Sequence, residues 1–229
     1  MTDERVARHR RVERELDGVD LHYVVGDRTI LSGVSVTAHG GEVLGIRGPS
    51  GSGKSSLLSL LGGLVAPTSG TVTLDGSPVQ VGGGVDLRRR FGLILQGYGL
   101  VAALTARENI AVVLQAAGVD RREVRTRVDD VLARVGLSGV ADHVIEELSG
   151  GQQQRVAVAR ALVTSAEVFL ADEPTAELDG DNRGVVVSLL VERARAGAVV
   201  VLASHDPDVI AACDEVVDLE SGVVQGTRR

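Results

Sequence analysis

The residues Gly48-Pro49-Ser50-Gly51-Ser52-Gly53-Lys54-Ser55 match the spacing G-x-x-x-x-G-K-[ST], a loop built to wrap phosphate. Glycine lets successive backbone N–H groups turn inward, and with the N-terminus of a following helix they make a concave anion site. Lys54 then places a compact positive charge on the β- and γ-phosphates, the Ser55 hydroxyl is a ligand for Mg²⁺, and Ser56 continues into the helix. Lys54 is the only lysine in the chain; the other long basic side chains are all Arg. An ammonium is kept at the one place where a flexible point charge suits the chemistry.

Further polar groups follow short apolar runs. Phe91 to Leu95 runs into Gln96, Val168 to Ala171 into Asp172-Glu173, and Ala198 to Ala203 into Ser204-His205. An acid at such a strand end can hold Mg²⁺ across from Ser55, which falls to Asp172; Glu173 is then placed to orient or deprotonate a water, and His205 to contact the γ-phosphate or that water. Ser149 and Gln152 form an S-x-x-Q capping box around Gly150 and Gly151, opening a helix whose N–H groups make a second candidate anion site. One triphosphate needs one cradle, so the second site should serve a second molecule. Tyr23 fits two readings, an adenine platform or a half-buried strand tyrosine. Cys213, the single cysteine, reads as a small buried hydrophobe and fits a reducing compartment.

The elements that carry these groups alternate in the manner of an α/β fold. Val43 to Ile46 reads as the strand before the phosphate loop and Ser55 to Leu61 as the helix after it. In an open parallel sheet the C-terminal strand ends share one edge, where ligands bind, so the loop, Gln96, Asp172-Glu173 and His205 should converge. Upstream, Leu16 to Ile46 reads as antiparallel strands broken at Gly26-Asp27 and Gly40-Gly41. Thr71 to Leu74 is a strand and Asp75-Gly76 a hairpin turn; Arg88 to Arg90 read as a solvated face. From about 97 to 160 the pattern turns helical, with Val124, Val128, Val131 and Val135 on one stripe. Glu215 to Gln225 closes the chain as a hairpin.

The 229 residues suffice for one domain, read as 16–229, preceded by a charged arm over 1–15 that lacks an apolar face. A formal charge of −7 without an extended basic patch argues against nucleic acid as partner. No secretory signal is visible, and the uncharged run Ser55 to Leu74 contains Gly62, Gly63, Pro67 and Gly70, which excludes one membrane helix there. The reading is a soluble protein that docks on a membrane partner.

With Leu148-Ser149-Gly150-Gly151-Gln152 in view, the order of motifs resembles the ATP-binding cassette (ABC) ATPases over about residues 16 to 226. The stretches Leu61 to Gly70 and Ala171 to Thr175 resemble the lipoprotein-releasing and macrolide-exporting subgroup. The resemblance implies a P-loop NTPase core with a mainly parallel sheet, an N-terminal antiparallel β subdomain and an α-helical insert. It implies ATP and Mg²⁺ as cofactors, adenine stacked on Tyr23, and Gln96 linking the Mg²⁺ site to a membrane partner. It further implies a head-to-tail ATP-dependent homodimer in which Ser149 to Gln152 and Asp179 of one subunit complete the site of the other. The partner it implies is a permease on a separate chain, of export or lipoprotein-releasing kind, for which an FtsX-like permease is a candidate; the location is the cytoplasmic face of the membrane. The alternative is the ATPase of a transmembrane complex of cell-division type that transmits force without transport. Ala176-Glu177 replaces the subgroup's usual Gly-Asn before Leu178-Asp179.

Overall fold

The computed structural model describes residues 14–229. The arm expected over 1–15 lies outside the described residues except for its end: Arg14 pairs with Glu167 at 3.4 Å, and Glu15 already belongs to the first strand. In chain order, β1 (Glu15–Val25) and β2 (Arg28–His39) form a hairpin over Gly26-Asp27, and β3 (Val43–Arg47) leads through the phosphate loop into α1 (Lys54–Leu61). β4 (Ser69–Leu74) and the two-residue β5 (Ser77–Pro78) follow, giving an antiparallel sheet of order β2-β1-β4-β5.

The chain then passes through α2 (Gly84–Arg89) to β6 (Phe91–Ile94), and from there into the helical part: α3 (Ala106–Ala116), α4 (Arg121–Arg134) and α5 (Gly150–Leu162). β7 (Val168–Asp172), α6 (Gly180–Arg195), β8 (Val199–Ser204), the single turn α7 (Pro207–Ile210), β9 (Glu215–Glu220) and β10 (Val223–Arg228) complete it. The second sheet has the order β10-β9-β3-β8-β7-β6 and is parallel except for its β10 edge.

Period-two alternation in the central strands explains how one sheet serves two cores. Val199, Val201 and Ala203 of β8 face α1 and the antiparallel sheet, whereas Val200 and Leu202 face the helical side with α3 to α6. A strand buried on both faces has to be apolar throughout, and β7 and β8 are buried at every position.

One feature differs from expectation. Arg90 is not on a solvated face: it ion-pairs with Asp75 at 2.5 Å and Glu167 at 2.7 Å, tying the β4 hairpin to the start of β7. In α6, Val186, Leu189, Leu190 and Ala194 are the buried residues, at helical spacing.

Candidate active site

The register of the parallel sheet brings the strand ends together. Arg47 is opposite Ser204, Ala203 is opposite Asp172, and Ile94 is opposite Ala171. A cleft of about 800 Å³ opens at this edge, lined by loop residues 49–51 and 53–56, by Gln96 and by Asp172, Glu173 and His205. Gly48 borders a neighbouring depression, and Ser52 is buried beneath the loop with its hydroxyl unpartnered. Gln96 is not the strand's last residue, because β6 stops at Ile94.

Gly53 is the N-cap of α1 and sits at φ 104, a backbone conformation open to glycine and strained for other residues. That turn brings the start of α1 to the cleft, which Gly53 to Ser56 line, and Lys54 itself is 7% exposed. The Lys54 Nζ donates to the carbonyls of Gly48 (2.7 Å) and Pro49 (3.1 Å). The ammonium thus lies on the loop itself, next to where an anion would sit.

Asp172 is 5% exposed at the end of β7. Burial pushes its carboxyl above the usual aspartate range; the Ser55 hydroxyl, hydrogen-bonded to it, works in the opposite direction, the Glu173 charge raises it and Lys54 lowers it. Glu173 is held at every polar group. Its amide donates to the Ala203 carbonyl (2.9 Å), its carbonyl accepts from Gln154 Nε2 (2.7 Å), and its carboxylate accepts from Ser204 Oγ (3.0 Å) and His205 Nδ1 (2.8 Å). The Glu173 side chain is 17% exposed, while that of His205 is 70% exposed.

Other expected site residues lie elsewhere. Tyr23 pairs with Leu31 in β1 and packs partly buried on the core under the antiparallel sheet; on that side the cleft is lined by Arg28 and Ile30. Ser149 caps α5 as expected, its hydroxyl accepting from the Gln152 amide (3.3 Å) and Gln152 Oε1 accepting from the Ser149 amide (2.9 Å). None of residues 149–152 lines the cleft of their own chain. Asp179 caps α6 by accepting from the Asn182 amide at 2.9 Å, and it too lies outside that cleft.

The glycine pair that opens α5 has a local cause that an anion-site argument overlooks. A Cβ on Gly151 would stand 2.7 Å from the Glu177 carbonyl oxygen, whereas one on Gly150 would come no closer than 3.4 Å to the Glu177 carboxylate. Close approach of two backbone segments therefore requires glycine at 151. Sequence reasoning also missed Gln154, and it placed Ser204 at a strand end without giving it a role. Gln154 left a signal, since it shares with Ala157, Val158 and Ala161 a buried stripe spaced i, i+3, i+4, i+7, and a polar residue at a core position must be satisfied by something specific.

A family model described as "ABC transporter" matches residues 31–176. The chain belongs to the ABC transporter family. It is an ATP-binding ATPase cassette of that family, and the matched solved structures agree in fold. A dimeric bacterial ABC transporter cassette superposes with a TM-score of 0.87 at 32% identity, covering 93% of this chain and 98% of that one. A dimeric cassette in a post-hydrolysis state with ADP and Pi gives 0.86, also at 32% identity, with the same two coverages. Among curated relatives, the macrolide export ATP-binding/permease protein of Nitrosomonas europaea is 41% identical over 215 residues, 91% of this chain and 33% of the relative. A methionine import ATP-binding protein of Caulobacter vibrioides is 42% identical over 207 residues, 88% of this chain and 62% of the relative. The chain thus spans about a third of the macrolide-export relatives. Among its described residues no helix is long and apolar enough to cross a membrane.

Proposed function

We propose that this cassette hydrolyses MgATP to drive a membrane-spanning permease on a separate chain, with export or lipoprotein release as the class of work. The observation that carries the reading is the convergence of Lys54, Ser55, Gln96, Asp172, Glu173 and His205 on one cleft. Lys54 turns from the loop carbonyls to the β- and γ-phosphates, and the inward N–H groups of the loop share their charge. No three His, Cys, Asp or Glu side chains gather as a metal cage among the described residues. That suits Mg²⁺, which is typically held by one or two carboxylates together with substrate phosphates; Ser55, Asp172 and Gln96 are the residues to hold it. When bound, Mg²⁺ neutralises charge on the phosphate oxygens.

Glu173 accepts the proton of a water as its oxygen forms a bond to the γ-phosphorus and the bond to the β,γ-bridging oxygen breaks, leaving ADP and Pi. Ser204 and His205 orient that carboxylate. Adenine stacks on Tyr23, which requires the base to reach β1 past Arg28 and Ile30. Ser149 to Gln152 and Asp179 do not line their own cleft, and in this reading they close a head-to-tail dimer over the partner's nucleotide. ATP therefore glues two cassettes together, and hydrolysis releases them.

The permease, for which an FtsX-like protein is the candidate, receives the motion through the Gln96 loop at the cytoplasmic face. The macrolide-export relatives support the pairing with a permease, because their name joins an ATP-binding part to a permease, the two being carried there by one protein of which this chain spans about a third. As domain organisation, residues 16–229 act as one ATPase domain with a helical insert over about 97–160.

Glu173→Gln tests the chemistry. MgATP should bind with unchanged affinity, turnover should collapse, and an ATP-held dimer should accumulate on size exclusion. Turnover near wild type with only monomer would move the base to another group.

A further inference from the structure

Glu173 combines two properties that need separate support: its carboxylate must point at a reacting water, and its backbone is left-handed at φ 46. A non-glycine residue holds such a conformation only where its surroundings over-determine it. The Ala203 carbonyl takes the Glu173 amide on the sheet side. The other side is taken by Gln154, whose side chain comes from the helix that begins at Ser149.

Gln154 is 3% exposed. Its Nε2 donates to the Glu173 carbonyl at 2.7 Å, and its Oε1 accepts from the Glu177 amide at 2.8 Å. One buried side-chain amide thus closes a bridge between residues 173 and 177, across Pro174-Thr175-Ala176. The Ala176 amide also reaches the Glu173 carbonyl, at a longer 3.3 Å, so the turn has its own weak closure and the glutamine sets its seat on α5. Gly151 meets the same segment from the start of α5, with its missing Cβ 2.7 Å from the Glu177 carbonyl. The segment after β7 and the first turns of α5 therefore share two contacts with little slack.

We propose that Gln154 is a positioning residue for ATP hydrolysis: through the Glu173 carbonyl and the Glu177 amide it sets the direction of the Glu173 carboxylate and locks it to the helix opened by Ser149. The proposal rests on the reading of Glu173 as the base. Its consequence is mechanical. Any shift of the α5 N-terminus, which in the dimer meets the partner's nucleotide, is carried to the base of its own chain. A misplacement on the ångström scale at a reacting group costs about a hundredfold in rate, so the loss of this bridge should read out in turnover and not in binding.

The test compares Gln154→Met, which keeps length and removes both hydrogen bonds, with Gln154→Glu, which keeps the acceptor for the Glu177 amide and removes the donor to the Glu173 carbonyl. Both should bind MgATP with wild-type affinity, lose about 10- to 100-fold in kcat with KM little changed, and accumulate the ATP-held dimer, the outcome also expected of Glu173→Gln. Dimer accumulation is the reading that a merely loosened fold would not produce. Wild-type kcat in either variant overturns the proposal, as does loss of MgATP binding in Gln154→Glu, which would make the residue a structural one. If Glu173→Gln itself turns over normally, the assignment of the base fails first; if it traps the dimer and the Gln154 variants do not, only the positioning role fails.

Discussion

The neighbouring glycines Gly150 and Gly151 should respond to alanine in opposite directions. Both lie in the first turn of α5, where replacing glycine by alanine stiffens the unfolded chain and favours the helix by up to about 1 kcal/mol, less at its end. At 150 the new methyl meets the Glu177 carboxylate at 3.4 Å, ordinary contact with a side chain that can move. At 151 it meets the Glu177 backbone carbonyl at 2.7 Å, with Leu178 Cδ2 at 3.4 Å behind it. Relief requires a shift of about 0.7 Å in a segment held by Gln154 and by the Leu178 amide bonded to the Thr175 carbonyl at 3.1 Å. Overpacking of this kind costs about 1–3 kcal/mol. For a chain of this size each kcal/mol shifts the melting temperature by about 2–4 °C. Gly151→Ala should therefore melt about 2–10 °C below wild type without nucleotide, and Gly150→Ala should melt at or slightly above it. Differential scanning calorimetry of the two proteins decides the matter. Equal melting temperatures would refute the close-approach argument and return both glycines to an anion-binding role alone.

Two further outcomes follow from the titrating groups. Burial pushes the Cys213 thiol up to about 12 from an ordinary 9.0, so at mildly alkaline pH its thiolate is about a thousandfold scarcer than that of a free cysteine. Iodoacetamide should label it slowly in the native protein and quickly in denaturant; equal rates would place Cys213 in solvent. The raised Asp172 carboxyl means that the folded chain holds that proton more tightly than the unfolded chain does. Its contribution to stability is full below the ordinary aspartate value of 3.8 and is lost as pH rises through the raised folded value. Without nucleotide and Mg²⁺, Asp172→Asn should melt above wild type at neutral pH, with the gap closing in acid. A gap of the opposite sign would show that Lys54 and Ser55 outweigh burial.

Much of this arrangement is written locally. A phosphate loop declares itself because glycine spacing and a lysine leave few alternatives, and the C-terminal strand ends converge because parallel strands in register have to present those ends on one edge. The role of Gln154, the bond from Ser204 to Glu173 and the Gly151 contact were illegible for a different reason: each depends on which segment lies against it, and nothing in the residues around Gly151 announces a carbonyl 26 positions downstream at Glu177. Helix α6 carries three consecutive valines, Val185 to Val187, whose β preference is overridden by packing on the sheet. Tyr23 remains a strand residue by position, since its adenine role depends on a ligand that has to reach it.

The central claim is that two copies share each nucleotide, and complementation between two defective variants tests it most directly. Lys54→Ala removes the charge from the cradle. Ser149→Asp keeps the α5 cap, because aspartate caps as well as serine, and sets a carboxylate against the partner's triphosphate. Each protein alone should hydrolyse ATP far below wild type, with Ser149→Asp still binding MgATP as a monomer. A mixed dimer holds one site with both defects and one with neither, so turnover should reappear on mixing. Wild-type turnover by Ser149→Asp alone would contradict the account, because its own cradle and Glu173 would then suffice.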